Sequence, residues 1–524
     1  MKTTLKLSYL IIALLPIFIT GCKEQLKEDY YNPDNSQTAS VETLFGKFST
    51  LSRYHMQYWD LTTLQKSTVG VYTQIVGYQN GLNRYNPTDT YVLDHWNRFY
   101  TEILQLYREI ETKYNALDET KKADYKHMMI ASDAILINEL VKKTDMWGDI
   151  PFSEAGYIRS SNQIVFPKYD TQQDIYNFML TRLRENAAFL VTTPQPTSLG
   201  STMLTKFDFI YAGKSSQWQK LTNSLRLRLL VRVKGTPEMG TSANQEISTI
   251  LNNPAQNPLI ESNADNALIA SKGPNLFAID NQHEGGPRGG FSGVVAGKAM
   301  LDILKKGSFS DPRLRVMFAK NINGNYAGIN PLSTATQDVS DSLNNNLYSF
   351  IDSTTMRFNN FLPGVLFTAA ETQFLKAEVL QGAAAETAFK TGIKQSIDWY
   401  YYVRNLNTKN NGVEVGTLTP PTDAQKEDVA NYYFTNYYQN PGIGKDEAIG
   451  IQRWIHFGPL QMYEAWADIR RYNHPVLRYI EDSGQTPKPL DRFKYPSKEY
   501  ADNMNMSQQI KDNDKFYNKV WWDK

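Results

Sequence analysis

The stretch from Leu366 to Tyr402 limits the fold more than any other. Two helical runs, Leu366 to Gln381 and Glu386 to Tyr402, are separated only by Gly382-Ala383-Ala384. Ala369, Ala370, Phe374, Ala377 and Leu380 keep helical spacing in the first run, and the alanines permit a close partner helix. Such a hairpin cannot bury its apolar face alone, so it needs further helices stacked against it. The chain supplies them. A helix is predicted from near Ser40, carried by Val41, Leu44, Phe45, Phe48, Leu51 and Tyr54. Asp94 is placed as the cap of a second, with Trp96, Phe99, Tyr100, Ile103, Leu106, Tyr107 and Ile110. Glu119 to Lys142 and Thr171 to Leu190 follow, the latter with Thr171 and Asp174 at capping-box spacing. Ser216 and Gln219 form another such box and open the strongest helix, with Trp218, Leu221, Leu225 and Leu229 on its face. Pro459 to Tyr472 is the last.

Two regions break this pattern. Residues 59–93 read as loop with short turns, and residues 235–365 are dense in Gly, Asn, Pro and Ser. The expected architecture is therefore mostly α: a tetratricopeptide-like helix-pair scaffold, about 39–233 and 366–472, with a loop-rich irregular subdomain, about 235–365, packed on it. The C-terminal tail is expected to be irregular.

The start of the chain places it. Lys2 and Lys6 precede an apolar run from Leu7 that closes on Ile19-Thr20-Gly21-Cys22. The run is too short to span a bilayer, which needs ~20 residues, and has the layout of a secretory signal. Cys22 is the sole cysteine, so it has no internal disulfide partner. Its position after small residues suits a bacterial lipoprotein signal. Residues 1–21 are expected to be removed, Cys22 to be lipidated, and 22–38 to act as a flexible tether ahead of one domain, 39–524. Several acyl chains would hold such a protein firmly on a membrane.

Composition narrows the function classes. The formal charge is +1, from 55 basic and 54 acidic residues, which gives no electrostatic case for nucleic acid. Tyrosines (32), phenylalanines (24) and tryptophans (9) suit sugar faces and wet interfaces, although most are expected in the core. Enzyme motifs fail on inspection. At Gly297-Lys298 a phosphate loop would need Gly where Ser292 stands and Ser or Thr where Ala299 stands. Asn321, Asn323 and Asn325 have calcium-loop spacing without a carboxylate. The six histidines include no pair four apart for zinc. Asp145, Asp149 and Glu154 could serve a glycosidase, but aspartates beside a Gly-Asp-Ile-Pro turn more often bond nearby backbone donors. Arg470-Arg471 likewise suits helix tying better than anion binding.

Six blocks carry a resemblance. They are Thr144-Asp145-Met146-Trp147-Gly148-Asp149-Ile150-Pro151-Phe152-Ser153-Glu154-Ala155; Trp218 with Leu221 to Arg228; Ala370-Glu371 through Phe374, Ala377-Glu378 and Gly382; Glu464-Ala465-Trp466 with Arg470-Arg471 and Pro475; Tyr495-Pro496 with Glu499 and Asn503; and Trp521-Trp522-Asp523. Together with the lipobox they resemble the SusD/RagB family of outer-membrane nutrient-binding lipoproteins, in its SusD-like branch. The resemblance implies a non-catalytic protein without cofactor or metal, anchored to the outer membrane through lipid and facing the cell exterior. It implies capture of an oligosaccharide, or in some members a peptide, and delivery to a TonB-dependent transporter of the SusC-like type. A lipid-anchored glycan hydrolase is the enzyme alternative. The family's ligand residues lie on variable loops and do not carry over. The candidates here are loop aromatics beside amides and arginines: Tyr72, Tyr78, Asn80 and Arg84 in one segment, and Phe277, Asn281, Arg288 and Phe291 in another. The quoted blocks themselves are expected to be structural.

Overall fold

The structure is a computed structural model and describes residues 39–51, 58–77, 83–271, 287–332, 336–482 and 486–523. Its helices begin where side-chain oxygens replace missing backbone partners. Asp118 accepts from the Lys121 N–H at 3.0 Å and heads Glu119–Trp147. Thr171 accepts from Asp174 N–H at 3.1 Å and heads Gln172–Thr192. Thr368 caps Ala369–Val379 by accepting from Glu371 N–H at 3.4 Å. Gly148, at φ 82°, ends the longest helix in a conformation that disfavours other residues.

Helices then stack in succession. Val41–Ser49 packs on Gln105–Asn115 and Glu119–Trp147. Glu119–Trp147 meets Gln172–Thr192, which meets Ser215–Val233, which meets Ala369–Val379. Ala369–Val379 forms a hairpin with Gly382–Asn405, and Asp423–Tyr433 continues the row. The hairpin is close: a Cβ on Gly392 would lie 2.6 Å from the Phe374 ring. This is the tetratricopeptide-like scaffold, and the fold is mostly α. Between residues 258 and 368 the chain is held by short pairings instead. Ala267–Ile269 runs antiparallel to Gly364–Phe367, and single bridges join Val76 to Ala296, Val295 to Phe350 and Gly297 to Ile329.

Several elements differ from expectation. The segment read as loop from residue 59 is helical over Tyr58–Tyr72, because its middle, Leu61–Val69, is a π-turn. Leu61, Leu64 and Val69 are buried there together with Thr63, Gln65 and Thr68, and a buried set that is half polar gives a hydrophobic-pattern reading little to register. A second π-turn, Phe99–Leu104, joins Asp89–Arg98 to Gln105–Asn115. That helix starts at Thr88, and Asp94 lies within it, paired with Arg98 one turn on at 2.7 Å. The Ser216–Gln219 box does not form, since the helix already begins at Ser215. Gly240–Asn252 is a helix inside the region read as irregular; Ala243, Ile247 and Ile250 form its buried stripe. Leu366 and Phe367 belong to a strand, not to the hairpin.

Candidate ligand-binding face

The sequence blocks meet in the core rather than at a surface. Arg228 makes a two-pronged bond to Glu371 (2.6 and 2.7 Å) and donates to Asn138 Oδ1 and the Leu366 carbonyl, each at 3.0 Å. Arg232 bonds Glu464 at 2.9 Å and also pairs with Asp145. Asp145 accepts further from the Tyr176 hydroxyl (2.6 Å) and the Trp522 indole (2.7 Å). Arg471 grips Glu378 through two 2.8 Å bonds, and Arg453 adds a third at 2.8 Å. Burial alone would raise these carboxyls; the surrounding guanidiniums overcome it and hold Glu378 and Glu464 down at about 2. Five of the six blocks thus share one buried, saturated lattice, and Arg470-Arg471 ties helices together. The possible glycosidase acids each bond a nearby backbone donor: Asp149 Oδ1 accepts from Gln172 N–H and Glu154 Oε2, on an exposed side chain, from Lys168 N–H.

The residues nominated for ligand contact divide differently. Cys22, Tyr78, Asn80, Phe277 and Asn281 lie outside the described residues. Tyr72 is buried; its hydroxyl donates to the Tyr85 carbonyl at 2.5 Å and its ring packs on Trp466. Arg84 is buried, with its N–H on Asp482 at 2.8 Å and Nη1 on the Pro331 carbonyl at 3.4 Å. Phe291 is buried too. All three side chains are packed inside the fold, and beside them the backbones of the two segments pair with each other (Val76 with Ala296; Gly77 N–H on the Val295 carbonyl, 2.9 Å). Arg288 alone of the described candidates is exposed, with its guanidinium 5.7 Å from the Phe358 ring centre.

Arg288 leads to a face that sequence reasoning missed. Its carbonyl accepts from Arg357 Nε at 3.2 Å. The next residue, Gly289, lies against the Tyr58 ring, where a Cβ would come within 2.5 Å. Tyr58 packs edge-on to Trp59 at 5.1 Å between ring centres. Segments 58–61 and 357–358 thus each touch residues 288–290, and a large exposed ring lies on or next to each: Trp59 is 50% and Phe361 45% exposed. All nine tryptophans are described, and only Trp59 is exposed. The available signal was the adjacent pair Tyr58-Trp59 ahead of polar Asp60, set in a stretch read as loop.

Comparison with known proteins now decides the family. Residues 35–496 match the SusD-like family described as "Starch-binding associating with outer membrane". The chain belongs to this family. Among solved structures it resembles a chitin-binding protein at 24% identity (TM-score 0.72), covering 93% of this chain and 100% of that one. It also resembles a Bacteroidetes SusD-like protein at 19% identity (TM-score 0.69), over 93% and 100% of the two chains. A SusD homolog from Bacteroides thetaiotaomicron is 21% identical (TM-score 0.63), with 93% and 99% covered. No curated protein matches the sequence. As a SusD-like protein the chain is a nutrient-glycan binder of the outer-membrane class. Among the described residues no helix is long and apolar enough to cross a membrane.

Proposed function

We propose that this SusD-like protein captures an oligosaccharide at the cell surface and delivers it, chemically unchanged, to a TonB-dependent transporter of the SusC-like type. The observation that carries the reading is the face around Trp59 and Phe361. Half-exposed rings carried on segments that touch the one bearing exposed Arg288 suit a sugar, whose CH faces stack on aromatics while its hydroxyls bond polar rims. Asp145, buried and bonded to Arg232, Tyr176 and Trp522, serves structure, which supports a binder over a hydrolase. Anchoring falls to the lipid on Cys22 and the 22–38 tether, which leave a lid-like domain room to swing.

Titration calorimetry with chitin- and starch-derived oligosaccharides, and with peptides as the rival class, tests the ligand. Saturable binding of a sugar with no shortened product after incubation is the expected result. Release of shorter glycan at enzymatic rates sinks the non-catalytic reading, and binding of peptides alone moves the protein to the peptide-binding members. A Cys22→Ala protein should keep ligand affinity and lose the membrane fraction.

A further inference from the structure

A cavity of about 100 Å³ is bounded in part by Asp60 and Pro363, near neighbours in the chain of Trp59 and Phe361. It is lined by Asp60 and Gln65 of the Tyr58–Tyr72 helix, helical residues 95–103, the end of Glu119–Trp147, residues 363–366 and residues 460–464. That is several times what one water needs. Trp59 directly precedes Asp60, and Phe361 stands two residues before Pro363, so both exposed rings sit at its margin in the chain.

One side of the cavity is a rigid polar cluster. Asp60 Oδ1 accepts from His95 Nδ1 (2.9 Å) and the Tyr463 hydroxyl (2.7 Å), and Oδ2 accepts from Gln65 Nε2 (2.6 Å). Burial would raise this carboxyl, yet the bonds and charge of His95, with Gln65 and Tyr463, hold it well below the usual carboxylate range. A carboxylate has about four acceptor positions, so Oδ2 keeps room for another donor. His95 is fixed from behind, stacked on Trp147 at 5.9 Å, with its carbonyl bonded by Lys143 Nζ at 2.8 Å. The opposite chemistry is apolar: Phe99, Ile103, Met146 and Leu366 also line the space.

Gln461 supplies the second observation. It lines the cavity, is 8% exposed, and its side-chain amide makes no hydrogen bond to any described residue, with Oε1 buried. Buried polar groups are nearly always paired, so an unpaired amide at a cavity wall marks a group awaiting a partner. Formal charge selects that partner. Apart from His95, three carboxylates (Asp60, Glu139, Glu464) face three cations (Arg98, Lys142, Lys143) around the lining. Glu139 and Lys142 pair at 2.7 Å, and Glu464 is held by Arg232. A charged ligand finds no surplus of either sign; a neutral ligand whose hydroxyls both donate and accept finds Asp60, Gln461 and an apolar wall.

We infer that this cavity is a specificity pocket for one neutral sugar residue at the end of the captured chain. The following residues run across Trp59 and Phe361. The inference rests on the reading of the protein as an oligosaccharide binder.

The test combines crystals of the protein soaked with glucose, galactose, mannose or N-acetylglucosamine and calorimetry with the corresponding oligosaccharides. Gln461→Met keeps the side-chain volume and removes the amide. The expected result is a sugar in the cavity with hydroxyls on Gln461 and Asp60, and at least a tenfold loss of affinity in Gln461→Met. If sugar sits only on the Trp59 face while the cavity holds water, and Gln461→Met binds normally, the pocket is overturned and the oligosaccharide reading stands. Failure of every sugar to bind the unaltered protein overturns both. Should Gln461→Met not fold, the soaked crystals decide alone.

Discussion

The core lattice and the Trp59 face use the same side chains to opposite ends. In the lattice, Arg228 and Glu371 are both about 1% exposed and every guanidinium edge meets an oxygen. At the face, Arg288 is exposed and rests beside a ring, and among the described residues only its backbone carbonyl is hydrogen-bonded. A saturated arginine holds helices together; an unsatisfied, exposed one next to flat rings can meet a ligand. The contrast makes a clear demand: lattice changes should cost stability and face changes should cost affinity.

The largest stability effect is expected at Arg228→Ala. Removing it leaves Glu371 and the Arg228 side of Glu464 as buried carboxyls without their guanidinium, and breaking one partner of such a pair costs about 3–5 kcal/mol. Urea unfolding should show that loss. A change under about 1 kcal/mol would mean the lattice is an ornament of packing, and the contrast with the face would fail.

Next comes His456, which lies buried between Thr368 Oγ1 (2.7 Å) and Ser396 Oγ (3.1 Å). Burial first, then the Arg313 and Arg453 charges, pull it down to about 3. Between pH 6.5 and that value the unfolded chain takes up a proton that the folded histidine refuses. Stability therefore falls on acidification, by up to about 1.4 kcal/mol per pH unit. Below pH 4.5 Glu378 and Glu464, both held at about 2, add a slope of the same sign. His456→Gln should flatten the profile between pH 6.5 and 4.5 and leave the steeper acid limb. An unchanged slope there would show that the histidine is protonated in the folded state.

How much was legible follows from the same contrast. The hairpin at residues 369–405, the Asp145 and Glu464 blocks and the structural reading of Arg470-Arg471 were readable, because helical spacing and paired charges are written locally. The Leu61–Val69 turn was not: half of its buried set is polar (Thr63, Gln65 and Thr68), so the stretch read as loop and Trp59 went unnoticed at its edge. The burial of Tyr72, Arg84 and Phe291 was not readable for a further reason. Aromatics and arginines in Gly/Asn-rich sequence look alike whether the loop faces solvent or pairs with another loop. Only the Val76–Ala296 bridge, between residues 220 apart in the chain, tells them apart.

A smaller effect tests that correction. Tyr72→Phe removes a buried hydroxyl from the Tyr85 carbonyl, which should cost about 1 kcal/mol by thermal unfolding. Its affinity for any sugar the protein binds should match the unaltered chain. A Tyr72→Phe protein of normal stability but weakened binding would return this residue to the ligand site.

Trp59→Ala should have the smallest effect on stability and the most telling consequence. Half the ring is already in water, and exposed substitutions away from caps and ion pairs stay within about 0.5 kcal/mol. Affinity for oligosaccharide should nevertheless fall at least tenfold, about 1.4 kcal/mol, with a smaller loss at Phe361→Ala because a single six-membered ring covers less of a sugar face than an indole. Arg228 variants that remain folded in mild conditions should bind as before. The two measurements together separate the regions: if Trp59→Ala lowers stability by more than about 1 kcal/mol and leaves binding intact, its ring is packing against Tyr58 and Gly289, and the face belongs with the core after all.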